Sequence, residues 1–213
     1  MLRITAAIAM LAALSADGPI AHAQTADPTP QDTQSVLTPE SDNEARLNGL
    51  QPPDQVMDAI GIRPGMIGAE IGAGRGRYVV QLAVRVGESG KIYGEDIDAA
   101  ALRYLDRRCE RWGLTNVETI LGTVDDPKLP AGELDFIFII SAYHHFDDPV
   151  ALLGNARASL KPDGMLAIAE WLRSTTPETM EDQMRAAGYR LERTETFLEE
   201  NGLYIYIFRL GDS

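Results

Sequence analysis

A glycine-rich turn constrains this chain more than any other feature, because it joins a strand-like run to a helix-like run. The strand-like run covers 66–71, residues 72–76 read G-A-G-R-G, and the helix-like run covers 78–86. Glycine permits positive φ and lets the backbone approach a ligand closely, while the N–H groups at a helix start favour anionic groups. The dinucleotide fingerprint G-x-G-x-x-G needs a glycine at the position of Arg77. The sequence therefore predicts a ligand-binding turn of a different kind.

An acidic residue ends the next strand-like run, which covers 91–96. In a βαβ unit, a carboxylate at the tip of the second strand accepts hydrogen bonds from a ribose diol. We assign that role to Asp96 in preference to Glu95. We expect Asp98 to cap the following helix, because it directly precedes the helical pattern. These two strands thus predict a site for a ligand that contains a ribose.

Strands and helices alternate along the rest of the chain. Continuous apolar runs such as 136–140 are typical of strands covered on both faces of a parallel sheet. The last two strand-like runs are separated only by residues 198–202, a link short enough for an antiparallel hairpin. The predicted strands are 66–71, 91–96, 117–121, 134–141, 165–170, 190–197 and 203–209, and the predicted helices are 53–60, 76–86, 98–112, 149–160 and 177–187. The predicted fold is α/β, a doubly wound, Rossmann-like, seven-stranded and mostly parallel sheet with a terminal antiparallel hairpin.

These motifs resemble the class I S-adenosylmethionine (SAM)-dependent methyltransferase family over about residues 53–209. Glu70 precedes the G-x-G-x-G turn by two positions, as in the first motif of that family, and residues 160–165 read L-K-P-D-G-M, similar to its L-K-P-G-G turn. The sequences D-D-P-x-L-P and Y-H-H-F-x-D-P resemble those of small methyltransferase-domain proteins. The resemblance implies SAM as the cofactor and methyl transfer to an acceptor, expected to be a small molecule, as the activity.

The resemblance also implies which residues contact SAM. They are Glu70, Gly72, Ala73, Gly74, Gly76, Asp96, Ile97, Asp125 and Ser141. In the family, an Asp directly after a Gly follows the third strand and accepts a hydrogen bond from the adenine amino group. Here Gly122 is followed by Thr123, so we expect the adenine contact to move to Asp125 or Asp126.

The segment 141–149 follows the fourth strand, at the switch point where such sheets bind ligands. It contains His144, His145 and Tyr143, the candidate catalytic or substrate-facing residues. A histidine can remove a proton from a hydroxyl or thiol acceptor at neutral pH. The alternative is that the histidines only hydrogen-bond or pack within the loop. No metal site is expected, because adjacent histidines with one distant cysteine do not form a zinc ligand set.

The first 23 residues have the pattern of a signal peptide, with a basic start, an apolar run over 4–14 and an A-H-A cleavage sequence before Gln24. We expect residues 24–40, rich in polar side chains and proline, to be a disordered linker, and residues 41–213 to form the methyltransferase domain. The chain would then be periplasmic or secreted, with a cytoplasmic location as the alternative. Because SAM is made inside cells, an exported, non-catalytic SAM- or nucleotide-binding protein is the alternative function.

The formal net charge of −13 argues against nucleic acids and anionic membranes as partners. No segment is long enough for stable membrane insertion. We expect the arginines between positions 103 and 111 to form a solvated helix face. The sequence does not determine the oligomeric state.

The segment 43–62 is expected to fold over the open site and to select the acceptor. The apolar side chains that could line the site are Leu47, Leu50, Val56, Met57 and Ile60. The alternative is that Val56, Met57 and Ile60 form the buried face of an amphipathic helix.

Overall fold

The computed structural model describes residues 38–211, so the predicted signal peptide, 1–23, and residues 24–37 of the predicted linker lie outside the described residues. Within residues 38–211 the chain forms one seven-stranded sheet and six α-helices. The strands are β1 (Ile67–Ile71), β2 (Lys91–Asp96), β3 (Val117–Leu121), β4 (Leu134–Ile140), β5 (Leu160–Trp171), β6 (Tyr189–Glu195) and β7 (Leu203–Leu210). The helices are α1 (Asp42–Leu50), α2 (Pro53–Ile60), α3 (Val79–Val86), α4 (Ala99–Trp112), α5 (Pro149–Ala156) and α6 (Pro177–Ala186).

The sheet has the strand order β3-β2-β1-β4-β5-β7-β6. Strands β1 to β5 pair in parallel, while β7 is antiparallel to both β5 and β6. The short connection from β6 to β7, which contains a 3₁₀ turn over Glu199–Asn201, is compatible only with a hairpin. The predicted α/β fold with a terminal antiparallel hairpin is confirmed. Strand β5 begins earlier than predicted, because Leu160 already pairs with Leu134 before a shift in register.

Local capping signals set the helix bounds. Ser41, Asp98 and Thr176 cap α1, α4 and α6, each by accepting a hydrogen bond from a backbone N–H in the first turn. Helix α1 was not predicted, because its sequence carries no amphipathic pattern. The structure agrees with this pattern, since the helix fully buries none of its side chains. No helix within residues 38–211 combines the length and the apolar character needed to cross a bilayer.

Apolar side chains form a core on each face of the sheet. One core contains side chains of α2, α3 and α4, and the other contains side chains of α5 and α6. Val56, Met57 and Ile60 lie in the first core, and Leu47 and Leu50 pack against it. The expectation that these five side chains line the site is wrong, because the core beneath α2 buries them or holds them at its edge. The alternative, a buried face on an amphipathic α2, is confirmed.

Ion pairs tie an acidic N-terminal segment to α4. Arg108 is 1% exposed, and its Nη2 lies 2.7 Å from Oε1 of Glu44, while its Nε lies 3.7 Å from Oε1 of Glu40. Arg111 also pairs with Glu40, and the hydroxyl of Tyr104 donates to the same carboxylate at 2.7 Å. The expected solvated arginine face is therefore wrong for Arg108, whose burial is compensated by two carboxylates. Glu40, which the sequence placed in the linker, makes contacts of the folded domain.

Replacing Arg108 by Ala is expected to lower the free energy of unfolding by about 3–5 kcal/mol, because two partly buried carboxylates lose their main cation. The matched control is Arg111→Ala, since Arg111 pairs with Glu40 but is 51% exposed. That exposed pair is expected to contribute less than about 1 kcal/mol. Urea unfolding followed by circular dichroism measures both effects. Equal losses in the two variants would contradict the role given to Arg108.

Candidate functional site

The carboxyl ends of β1, β2 and β4 enclose a cleft at one edge of the sheet, with a volume of about 270 Å³. We call it the main cleft. Parallel α/β sheets bind ligands at this position. The predicted SAM-contacting residues that line it are Gly72, Asp96, Ile97 and Ser141. The main cleft is not lined by Glu70, Ala73, Gly74, Gly76 or Asp125.

The glycine turn adopts backbone conformations that other residues reach only with strain. Gly72, Gly74 and Gly76 have φ values of 77°, 55° and 82°. A Cβ on Gly72 would lie 2.7 Å from Cβ of Ala142, and a Cβ on Gly76 would lie 2.3 Å from Cδ1 of Leu105. The turn therefore passes too close to the end of β4 and to α4 for side chains at its first and third glycines.

Asp96 both holds this turn and faces the main cleft. Its Oδ2 accepts a hydrogen bond from the backbone N–H of Gly74 at 2.7 Å, and its Oδ1 accepts one from that of Asp98 at 2.8 Å. Ile97 and Val124 also line the cleft and are 59% and 52% exposed. A carboxylate with exposed apolar neighbours suits a ligand that joins hydroxyl groups to a flat ring.

Glu70 is a buried acid at the end of β1. It is 3% exposed, and its Oε2 has no hydrogen-bond partner among residues 38–211. Burial raises the pKa of the Glu70 carboxyl to about 8, opposed by the charge of Arg77 and assisted by that of Asp96. Glu70 is therefore mostly protonated at neutral pH, and its side chain does not line the cleft.

Gln51, which the sequence analysis missed, joins α1 to the site. It is fully buried, and its Nε2 donates to Oγ of Ser141 at 2.7 Å. Nη2 of Arg77 donates to Oε1 of Gln51 at 2.6 Å, and the hydroxyl of Tyr78 donates to its backbone carbonyl at 2.8 Å. No sequence motif marks this glutamine, because Ser141 and Arg77 lie 90 and 26 positions away.

Ser141 holds the chain in a strained conformation where β4 ends. Its φ is 53°, in the left-handed region that non-glycine residues rarely adopt. Its backbone N–H donates to the carbonyl of Ala169 at 3.0 Å, so the strain occurs directly beside the sheet. Strained residues concentrate at ligand sites, and Ser141 lines the main cleft.

His144 pairs with a buried carboxylate on β5. Its Nδ1 lies 3.0 Å from both carboxyl oxygens of Glu170, and its backbone N–H donates to Oε2 at 3.2 Å. Glu170 is 1% exposed. The ring of His145 lies 4.0 Å from that of His144, centroid to centroid, and His145 lines the main cleft. If Nδ1–H of His144 points to Glu170, its Nε2 is the nitrogen that can accept a proton.

Tyr143 lies in the core beside a second cavity of about 380 Å³. Its hydroxyl donates to Oε1 of Gln183 at 2.6 Å, and burial raises the pKa of that hydroxyl. The second cavity shares Phe146 and Asp147 with the main cleft. Its other polar lining residues are His144, Ser174, Thr175, Thr176, Thr179 and Gln183. Among residues 38–211, His, Cys, Asp and Glu side chains form no cluster that could hold a metal ion.

Asp125 belongs to a closed turn outside the main cleft. Its Oδ1 accepts a hydrogen bond from the hydroxyl of Thr123 at 2.8 Å, and the backbone N–H of Asp126 donates to the same hydroxyl at 3.1 Å. Thr123 and Val124, rather than the two aspartates, line the cleft.

The fold and the cleft agree with one known family. Residues 69–164, from β1 to the turn within β5, match the model of the Methyltransferase domain family. Residues 69–164 are a methyltransferase domain, and the sheet has the class I SAM-dependent methyltransferase fold. The residues present fit the cofactor of this family. The turn carries no side chains at Gly72 and Gly76, so its backbone can approach a ligand closely. Asp96 offers a carboxylate beside exposed apolar groups.

Several methyltransferases are similar to this chain. The nocamycin O-methyltransferase of Saccharothrix syringae is 31% identical over 114 residues, which are 54% of this chain and 41% of that protein. The demethylmenaquinone methyltransferase of Geobacillus stearothermophilus is 25% identical over 120 residues, 56% of this chain and 51% of that protein. The chain thus spans about half or less of the length of these curated relatives. The crystal structure of a SAM-dependent methyltransferase from Aquifex aeolicus has a TM-score of 0.70 at 24% identity, covering 84% of this chain and 98% of that one.

The raised pKa of Glu70 makes stability depend on pH. Between the ordinary value of 4.5 and about 8, the folded state keeps a proton on Glu70 that the unfolded state releases. The contribution of Glu70 to the free energy of unfolding is therefore largest below pH 4.5 and falls as pH rises to about 8. The unfolding free energy of the wild type, relative to Glu70→Gln, is therefore expected to fall from pH 5 to pH 8, by at most about 1.4 kcal/mol per pH unit. Urea titrations at three pH values measure the difference. A constant difference would show that Glu70 ionises normally.

Proposed function

We propose that this chain transfers a methyl group from SAM to a small-molecule acceptor. The observation that carries the proposal is the shared cleft at the ends of β1, β2 and β4, where the glycine turn and the Asp96 carboxylate meet. The methyltransferase domain over residues 69–164 supports SAM as the donor. The connections after β4 and β5 are short, so within residues 38–211 no separate domain surrounds the acceptor, which supports a small molecule.

On the donor side, we assign SAM to the main cleft. Asp96 accepts hydrogen bonds from the ribose hydroxyls, and the turn over 72–76 wraps the methionine portion through its backbone. Ile97 and Val124 cover the faces of the adenine ring, which explains why such large apolar side chains are exposed without a ligand. Ser141, fixed by Gln51, faces the same space from β4. Glu70 does not line the main cleft, so we assign it no direct contact with SAM.

On the acceptor side, we assign the second cavity to the molecule that receives the methyl group. The second cavity shares the lining residues Phe146 and Asp147 with the main cleft, which supports a donor and an acceptor bound side by side. Hydroxyl and amide groups dominate its wall. This lining favours a polar acceptor with several hydrogen-bonding groups. The net charge of −13 further favours a neutral or cationic molecule over an anion.

His144 is the residue that we propose to remove the acceptor proton. SAM supplies an electrophilic methyl group when bound, and transfer to a hydroxyl or thiol needs a base for the departing proton. The Glu170 carboxylate orients the His144 ring through Nδ1, which leaves Nε2 to take that proton. Tyr143 is less suited to this work because its hydroxyl is buried and already donates to Gln183.

The first test is binding of S-adenosylhomocysteine to the purified chain by calorimetry. The wild type is expected to bind, and Asp96→Ala is expected to lose roughly 10-fold or more in affinity because charged hydrogen bonds to the ribose are removed. Asp98→Ala is the matched control, since the Asp98 side chain accepts from the backbone N–H of Ala100 at 2.7 Å and does not line the main cleft. Absence of binding by the wild type, with a folded chain by circular dichroism, would refute the proposed function.

The second test measures methyl transfer as S-adenosylhomocysteine formation with a panel of small phenols, polyols and thiols. With an acceptor that reacts, His144→Ala is expected to lower kcat by roughly 100-fold or more while affinity for S-adenosylhomocysteine stays unchanged. Glu170→Gln should lower kcat less, because Glu170 acts through the orientation of His144. His145→Ala is the control that distinguishes the role of His144 from that of the adjacent His145. A large loss in His145→Ala with none in His144→Ala would assign the base to His145 instead.

A further inference from the structure

Glu95 is a buried acid in the wall of the main cleft that neither the predicted site nor the proposed reaction uses. The residue is 2% exposed, and its Oε1 has no hydrogen-bond partner among residues 38–211. Leaving a buried carboxyl oxygen unpartnered costs free energy, whereas an apolar side chain at the same place would not. The cost is offset if a ligand in the cleft supplies the missing partner.

The location of Glu95 points to the base-binding end of the cleft. Along β2 successive side chains alternate between the two faces, so Glu95 and Asp96 approach the cleft from opposite faces of the sheet. Glu95 shares the wall of the cleft with Ile97, Thr123 and Val124. A Cβ on Gly122 would lie 1.9 Å from Oε1 of Glu95, so the carboxyl occupies the space directly beside the connection after β3.

The carboxyl of Glu95 holds a proton at neutral pH. The pKa of Glu95 is raised to about 8, with burial as the largest cause and the charges of Asp96 and Asp126 acting in the same direction. A hydrogen bond from the backbone N–H of Gly72 and the charge of Lys128 oppose the rise. A protonated carboxyl offers one donor and one acceptor side by side. The adenine edge carries the complementary pair, an amino group that donates next to a ring nitrogen that accepts.

We propose that Glu95 recognises the adenine of SAM, accepting a hydrogen bond from the exocyclic amino group and donating one to the neighbouring ring nitrogen. Asp96 then binds the ribose while Glu95 reads the base, so consecutive residues of one strand recognise both parts of the nucleoside. This assignment replaces the predicted contact to Asp125, whose carboxylate is turned to the hydroxyl of Thr123 outside the cleft.

The test compares the binding of S-adenosylhomocysteine with that of its purine analogue, which lacks the 6-amino group, by calorimetry. For the wild type at pH 7, removal of the amino group is expected to weaken binding roughly 10- to 100-fold. In Glu95→Leu the two ligands should bind within a few-fold of each other, because the amino group has no partner. Asp125→Asn is the matched control and should keep the wild-type preference.

A pH series gives an independent measurement. As pH rises from 7 to 9, the affinity of the wild type for S-adenosylhomocysteine should fall, because ionised Glu95 can no longer donate. Glu95→Gln keeps one donor and one acceptor without a titrating group, so its affinity should change less over this range. Thermal unfolding checks that each variant is folded, and Glu95→Gln suffices for the test if Glu95→Leu does not fold.

Three results would overturn the assignment. These are an unchanged amino-group preference in Glu95→Leu, loss of that preference in Asp125→Asn, and identical pH dependence in the wild type and Glu95→Gln. In each case the wild type would still bind S-adenosylhomocysteine, so the proposed function would stand. Failure of the wild type to bind either ligand would instead refute the proposed function together with this assignment.

Discussion

The close approach of β1 to β4 is the contact on which the rest of the site depends. Gly68 pairs with Phe136 in the parallel register, and a Cβ on Gly68 would lie 2.1 Å from Cζ of the Phe136 ring. The missing side chain lets this fully buried ring lie across β1. Beyond the end of β1, Gly72 approaches Ala142 in the same way. Gly68 and Gly72 thus let β1 and the turn after it lie close to β4 and the residue that follows it. The cleft forms beyond this point, where the paired strands separate.

Three acidic residues surround this junction, and burial divides their roles. Glu70 and Glu95 are almost fully buried, and each has a pKa raised to about 8, so both are mostly neutral at pH 7. Asp96 is more exposed, and each of its two carboxylate oxygens accepts a hydrogen bond from a backbone N–H group. Buried, unpartnered polar groups are local departures from a stable core, and such departures concentrate at functional sites.

The N-terminal segment is held to the site differently from the core elements. Helix α1 fully buries none of its side chains, and Leu47 and Leu50 only pack against the edge of the first core. Polar contacts through Arg77 and Arg108 attach the segment on either side of the glycine turn. Because the segment contributes few buried apolar contacts, it is expected to open more readily than the sheet. Because Gln51 bonds to Ser141, opening of the segment would also release a residue that lines the cleft.

Local patterns in the sequence determined the fold, because strand and helix periods, turn glycines and caps act over a few residues. They also placed Gly72, Asp96, Ile97 and Ser141 at strand ends, which the parallel sheet gathers into one cleft. Only the tertiary structure decided the long-range polar pairs. The pairs His144–Glu170, Arg108–Glu44 and Gln51–Ser141 join residues 26, 64 and 90 positions apart. No local period encodes such contacts, since they depend on how packed elements orient individual side chains, and the buried Glu95 beside Gly122 is decided in the same way.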